Sequence, residues 1–175
     1  MNNTKTKILT AALYLFNQHG LVNVRLQQIA DEVGIRVGNL AYHYYSKEAI
    51  VKAIDQELSN EIIPFISQDR LFLSLMYFDN HLARFYHLLR NYSFYFIDLL
   101  ELKRAYPKLY KKQDNYIQQI TQQIENWFTT NIQRGLILPA IRPKHYKIIA
   151  HTIWMIITFW LTQPIDKGLP EERER

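Results

Sequence analysis

The chain has no cysteine and little that breaks or loosens a backbone: 5 glycines and 6 prolines in 175 residues. Without cysteine there is no disulfide framework and no thiolate metal site, which suits a reducing compartment. The scarcity of glycine and proline stands beside 48% hydrophobic and 14% aromatic residues. That balance supports a substantial core and argues against disorder. Long apolar runs are missing as well. The longest, Ile148–Leu161, contains His151 and two threonines, and it falls short of the roughly 20 residues of a membrane span. The opening MNNTKTKILTAALYLF has polar residues inside its apolar run and no small-residue cleavage signal, so it is not read as a signal peptide. A soluble, cytoplasmic chain with no membrane partner is expected. Its formal charge of +5 and pI near 9.3 favour an anionic partner.

Helical periodicity is present almost throughout. Thr4–Gln18 places Ile8, Ala11, Ala12, Leu15 and Phe16 on one stripe, and Gly20 follows as a stop. Leu26–Val33 is a short second helix with Ile29 and Val33 on one face and the small Ala30 beside them. Gly34 closes it, and Val37–Tyr44 forms a third helix anchored by Leu40 and Tyr44. Ser46 is a good N-cap for a fourth, with Glu48 in its first turn. Ile50, Ile54, Leu58 and Ile62 carry that helix towards Pro64, with a soft domain boundary near 57–64. Beyond it, Phe72–Asn91 and Phe94–Arg104 read as helices, and Pro107 breaks the pattern. Leu109–Gln133 is a long helix with a core face of Ile117, Ile120, Ile124, Phe128 and Ile132. Gly135–Pro143 is a connector, and Pro143 begins a last helix to Thr162. No strand alternation persists, and no repeat or low-complexity segment appears. The fold class is all-α.

Two short helices around a tight turn, Arg25–Lys47, suit the DNA major groove, which admits one helix. On the third helix Arg36, Asn39 and His43 share a face about 100° from the Leu40 side. Arg36 suits a guanine edge or a phosphate, Asn39 an adenine edge, and Val37 a thymine methyl. Gly38 would let the backbone approach a phosphate, and Tyr42 and His43 suit phosphate hydrogen bonds. Ala41 completes the exposed surface. Lys47 opposes the helix dipole in the first turn of its helix. A phosphate there would gather the free N–H groups, the dipole and the ammonium on one anion.

From Ile8 to Ile54 the chain resembles the TetR family of bacterial transcriptional regulators. The resemblance is carried by Ile8-Leu9, Ala12 and Leu15-Phe16, Gly20, Ile29-Ala30 and Gly34-Ile35. It continues through Gly38-Asn39-Leu40, Tyr42-His43-Tyr44 and Ser46-Lys47-Glu48. It implies an N-terminal three-helix helix-turn-helix DNA-binding domain, residues 1–62. A linking helix would join it to a larger helical ligand-binding and dimerisation domain, residues 63–175. It further implies a homodimer on a palindromic double-stranded DNA operator, released by a small-molecule inducer, and so a regulator that acts as a repressor and is not an enzyme. The DNA-binding set is Arg25, Gln27, Arg36, Val37, Gly38, Asn39, Ala41, Tyr42, His43 and Lys47. Arg25 and Arg36 stand where the family often has capping hydroxyls, and Ala41 replaces a common tyrosine. Each lost cap costs about 1 kcal/mol, while each arginine adds charge beside the phosphates; the plainer reading makes both surface residues.

The larger half is rich in aromatics. Tyr77, His81, Phe85, Tyr92, Tyr95, Tyr116, Trp127 and Trp154 are the candidate ligand-pocket residues, with ordinary core as the competing reading. Lys103-Arg104, Lys108 and Lys111-Lys112 read as a solvated face. His81, His87 and His151 fall in unrelated places, and no nucleophile–base pair stands out, so neither a metal nor a cofactor is expected. Tyr146–Leu161 is apolar around most of its circumference and needs cover on several sides, which a second subunit would supply. Leu169-Pro170-Glu171-Glu172 carries a helix-start signature just before Arg175. Either the protein ends there with a reduced dimer interface, or further chain exists. Two rival readings stay open: a helical protein-interaction module without DNA binding, and a small-molecule carrier or enzyme.

Overall fold

A computed structural model of the chain describes residues 3–66 and 75–162, with the backbone alone for 3, 66, 75–79, 81 and 82. Nine helices and no strand occur among the described residues. The first helix, α1 (Asn3–His19), buries Ile8, Ala11, Ala12, Leu15 and Phe16. It stops at Gly20, whose φ of 79° lies in the left-handed region and lets its N–H reach the Phe16 carbonyl at 2.9 Å. Next come α2 (Leu26–Val33) and α3 (Val37–His43), joined through Gly34 at φ 74°. There the Ile35 N–H returns to the Ala30 carbonyl at 2.9 Å. Ile29, Ala30 and Leu40 are the buried anchors of this pair.

The linking helix α4 (Lys47–Ile66) starts under Ser46, whose hydroxyl accepts the Ala49 N–H at 3.2 Å. Ile50, Ile54, Leu58 and Ile62 are all fully buried. The helix runs unbroken through 57–64 and past Pro64, which lies inside its last described turn. Proline has no N–H to give the carbonyl four residues before it, so one intrahelical bond is missing there.

The remaining elements are α5 (Leu75–Asn91), α6 (Ser93–Ile97), α7 (Leu99–Ala105), α8 (Pro107–Gln133) and α9 (His145–Trp160). Residues 72–74 of the expected fifth helix, and the helix start at Leu169–Glu172, lie outside the described residues. The single helix expected over Phe94–Arg104 is two, broken at Asp98, which turns its carboxylate onto the Leu21 N–H. Helix α8 begins earlier than its apolar pattern suggested, with Pro107 at a first-turn position where no donor is needed. Its buried stripe is also rotated. Leu109, Gln113, Tyr116, Ile120, Ile124, Trp127 and Asn131 point inward, while Ile117, Phe128 and Ile132 sit at the margin. Polar members that find partners inside the protein made that stripe hard to see. Helix α9 begins two residues after Pro143, beyond a left-handed Lys144 (φ 61°).

One contiguous core joins both halves, from Ile8 in α1 through Ile54 in α4 to Trp154 and Ile157 in α9. Helix α9 packs along α8 through Ala150, Trp154 and Ile157. Its other side leaves Ile148, Met155, Ile156, Phe159 and Trp160 exposed. No described helix is long and apolar enough to cross a membrane.

Candidate nucleic-acid interface

Helix α3 hangs on one residue. Leu40 is fully buried, and around it Arg36, Val37, Gly38, Asn39, Ala41 and Tyr42 face solvent, with His43 half-buried. Tyr42 is 84% exposed, and its ring stands edge-on to His43 at 5.3 Å. Arg36 caps α3 with no side-chain hydrogen bond, so the helix start is held by backbone alone. A Cβ built on Gly38 would meet nothing within 4 Å. Packing inside the protein therefore does not require glycine there, and the space is open to a partner from outside. Tyr45, two residues past the end of α3, is 80% exposed and a further candidate for this interface. It was missed because Tyr44 beside it supplies the inward anchor, and alternation at a helix end is a weak signal.

Helix α2 replaces its missing hydroxyl cap in another way. The Gln28 side-chain carbonyl accepts the Arg25 N–H at 2.8 Å. That is the reverse half of a capping box; arginine, having no acceptor, cannot supply the other half. The exposed Arg25 side chain is thus left to the surface. Gln27 is exposed, but its amide donates to Asp31 at 2.6 Å.

Lys47 is placed differently from the phosphate-seeking side chain expected. Its ammonium folds back on the α1–α2 turn and donates to the Val24 carbonyl at 2.7 Å and the Val22 carbonyl at 3.3 Å. It also lies 5.7 Å from the centre of the Phe16 ring. Burial lowers its pKa below the ordinary lysine range, partly countered by the charge of Glu101. The cation in the first turn of α4 therefore has a partner within its own chain.

The expected pocket residues divide. The side chains of Tyr77 and His81 lie outside the described residues. Phe85, Tyr92, Tyr95, Tyr116, Trp127 and Trp154 are all buried. Three of these point their hydroxyls at α4. Tyr92 donates to Glu61 at 2.5 Å, Tyr95 to Asp55 at 2.6 Å, and Tyr116 to the Ser59 hydroxyl at 3.0 Å. Lys112, expected on a solvated basic face, instead pairs with Asp55 and Ser59 at 2.6 Å each. The other members of that run, Lys103, Arg104, Lys108 and Lys111, are exposed as expected. Asp55, Ser59 and Glu61 of α4 are therefore tied to α6, α8 and the α5–α6 joint. One described cleft, about 530 Å³, opens between α1 and the α5–α6 joint and includes Tyr92 in its lining. Among the described residues no group of three His, Cys, Asp or Glu side chains is placed to hold a metal ion.

Comparison with known proteins decides the family. A model of the N-terminal region of "bacterial regulatory proteins, tetR family" matches residues 8–54, and a TetR model described as "bacterial transcriptional repressor" matches residues 39–174. The chain belongs to the TetR family. Among relatives, RutR of Escherichia coli is 43% identical over 54 residues, 31% of this chain and 26% of RutR. UidR of the same species is 39% identical over 57 residues, 31% of this chain and 29% of UidR. The match thus spans under a third of either relative. A TetR-family regulator from Marinobacter aquaeolei VT8 superposes with a TM-score of 0.79 at 27% identity, covering 91% of this chain and 78% of that one. KstR2 of Mycobacterium tuberculosis, a ketosteroid transcriptional regulator, shares the fold at a TM-score of 0.76 and 16% identity, over 97% and 87% of the two chains. In this TetR-family chain, α2 and α3 are the helix-turn-helix, and the helices beyond α4 stand where its TetR-family neighbours have their helical ligand-binding domain.

Proposed function

We propose that this TetR-family regulator is a repressor that binds a palindromic operator as a dimer and is released by a small molecule. The observation that carries the DNA-binding half is the surface of α3. Arg36, Val37, Gly38, Asn39, Ala41 and Tyr42 are exposed on a helix fixed from behind by Leu40. Arg25, Gln27 and His43 flank that surface, with Tyr45 added. Arg36 and Asn39 carry the donor and acceptor groups that read base edges, and Arg25, Tyr42 and His43 suit the backbone. Lys47 shapes the turn from behind, and any phosphate contact from it is secondary.

Dimerisation is supported by α9. Ile148, Met155, Ile156, Phe159 and Trp160 form an exposed apolar face on a helix whose other side packs on α8. A second copy of the chain covers such a face symmetrically. The division at residue 62 assigns α1–α3 and most of α4 to DNA binding, and the rest to ligand and partner. Action on DNA puts the working protein in the cytoplasm.

The test is selection of duplexes from a random library by the full chain, followed by titration of the enriched sequence at several salt concentrations. Arg36→Ala and Asn39→Ala should each weaken the enriched site about 10- to 100-fold, corresponding to about 1–3 kcal/mol, while leaving random duplex little changed. Failure of the wild type to enrich any duplex sinks the reading.

A further inference from the structure

The end of α1 is gripped by the C-terminal helices at two polar points, and both lie on short joints between helices. Asn17 spends both ends of its amide on the α5–α6 joint. Its Nδ2 donates to the Asn91 carbonyl at 2.7 Å, and its Oδ1 accepts from the Ser93 hydroxyl at 3.1 Å and the Phe94 N–H at 3.0 Å. One turn further, the Leu21 N–H donates to Asp98 Oδ2 at 2.9 Å, on the α6–α7 joint. Between these points the rings of Phe16 and Phe94 sit 5.2 Å apart. Helix α6, only five residues long, is thus pinned at both ends to one stretch of the DNA-binding part.

These bonds differ in kind from the surrounding core. They are exposed or part-buried, and the cleft of about 530 Å³ runs beside the Asn17 contacts, lined by Asn17, Asn91, Tyr92 and Ser93. Hydrogen bonds that water can reach exchange with water at small net cost. Such a contact opens and recloses where packed apolar side chains would not. Asp98 also interrupts a helix that the sequence would otherwise continue, and the carboxylate at the break is the one that takes the Leu21 N–H.

We propose that Asn17 and Asp98 form a latch through which α5–α7 set the pose of the α2–α3 unit, in addition to the hold that Lys47 of α4 keeps on the same turn. The proposal rests on the DNA-binding reading above and names positioning residues, since neither side chain belongs to the α3 surface. A displacement of α6 passes to the last turn of α1 and to the Gly20–Val24 turn. From there it reaches α2, which packs on α1. Linkage makes the route reciprocal: DNA held by α3 must alter the protection of α6 and α7 in turn.

The test is amide hydrogen exchange on the full chain, for wild type, Asp98→Ala, Asp98→Asn and the double variant Asn17→Ala/Asp98→Ala. It is run free and with the duplex selected by the wild type. Free Asp98→Ala should exchange about tenfold faster across residues 20–43, with α4 and α8 unchanged. Asp98→Asn, whose side-chain oxygen still accepts from Leu21, should restore the wild-type rates. Bound duplex should slow exchange several-fold across residues 91–105 in the wild type and leave it unslowed in the double variant. Acceleration confined to the Leu21 amide overturns the latch, and so does acceleration spread evenly over α4 and α8. Slowing of 91–105 that survives in the double variant overturns it as well. If no duplex is ever enriched, the DNA-binding reading fails, while exchange in the free protein still decides the latch.

Discussion

Lys47→Met separates two roles for one side chain. A lysine that served only a phosphate would leave the free protein's stability untouched, and its loss would lower the salt slope of DNA binding by about 0.9. The structure gives the ammonium a task in the free protein. The 2.7 Å bond to the Val24 carbonyl is short and part-buried, and a charge-assisted bond of that kind contributes about 1.5–3 kcal/mol. The 3.3 Å contact to the exposed Val22 carbonyl adds little, and the Phe16 ring at 5.7 Å lies near the outer limit for a cation–π contribution of about 0.5 kcal/mol. Against these stands desolvation, the dominant influence on this lysine. A net loss of about 1–2 kcal/mol remains, which for a chain of this size lowers Tm by roughly 2–8 °C. Calorimetric melts of wild type and Lys47→Met at pH 7 measure it. A melting point within about 1 °C of wild type refutes the clamp and returns Lys47 to the DNA face.

Lys112→Met strips the strongest partner from Asp55, whose side chain is 7% exposed, while Lys112 itself is 37% exposed. The expected loss in urea unfolding is about 2–3 kcal/mol, under the figure for a fully buried pair because the lysine is partly solvated, and adding Asp55→Asn should recover part of it. At alkaline pH, burial and the carboxylates of Glu61 and Asp55 hold Tyr92 and Tyr95 above the ordinary tyrosine range. Burial pulls Lys112 down, yet its bond to Asp55 raises it on balance. Groups raised in the folded state contribute stability that is intact below their unfolded pKa and lost as pH rises beyond it. Unfolding free energy should therefore fall above about pH 10, by at most about 1.4 kcal/mol per pH unit for each group. Tyr95→Phe should flatten that limb by one group; an unchanged slope contradicts the assignment. Met155→Glu combined with Phe159→Glu, both exposed on α9, should halve the mass seen by light scattering without loss of helical circular dichroism. A wild type that is already monomeric removes the proposed interface.

What could be read from the sequence was whatever one helix decides by itself. The stripe Ile8, Ala12, Leu15 and Phe16, the stops at Gly20 and Gly34, and the inward Leu40 follow from spacing and local backbone preference, and all hold. What could not be read depends on partners far along the chain. The break at Asp98 answers to Leu21, 77 residues away, and Lys47 answers to carbonyls 23 and 25 residues before it. The bonds from the tyrosines of the larger half to α4 could not be read, because their acceptors, Asp55, Ser59 and Glu61, sit on a helix read as a linker with an apolar stripe alone. The same polar traffic hid the true inner face of α8, where Gln113 is fully buried and donates to the Tyr95 carbonyl. Hydrophobic counting is blind to a polar side chain whose partner lies on another element.

That polar traffic limits how α4 can carry a signal. Ile50, Ile54, Leu58 and Ile62 form one buried row, and Val51, Asp55 and Ser59 form a second beside it. The apolar row tolerates small sliding. The second row does not, since Asp55 is fixed between Tyr95 and Lys112, and Ser59 between Lys112 and Tyr116. Turning α4 by one residue, about 100°, would take the Asp55 carboxylate from both donors. An unpaired buried charge costs about 3–5 kcal/mol, above the roughly 1–3 kcal/mol over which allosteric coupling usually operates. Of the two donors on Asp55, a shift of α6 disturbs only Tyr95 and leaves Lys112 on the carboxylate, so the charge stays paired. The joints at Asn17 and Asp98 exchange their bonds with water at still lower cost. Movement of α6 against the end of α1 therefore costs less than turning α4, and the proposed release of DNA by a small molecule would use it with α4 as the strut against which α6 moves.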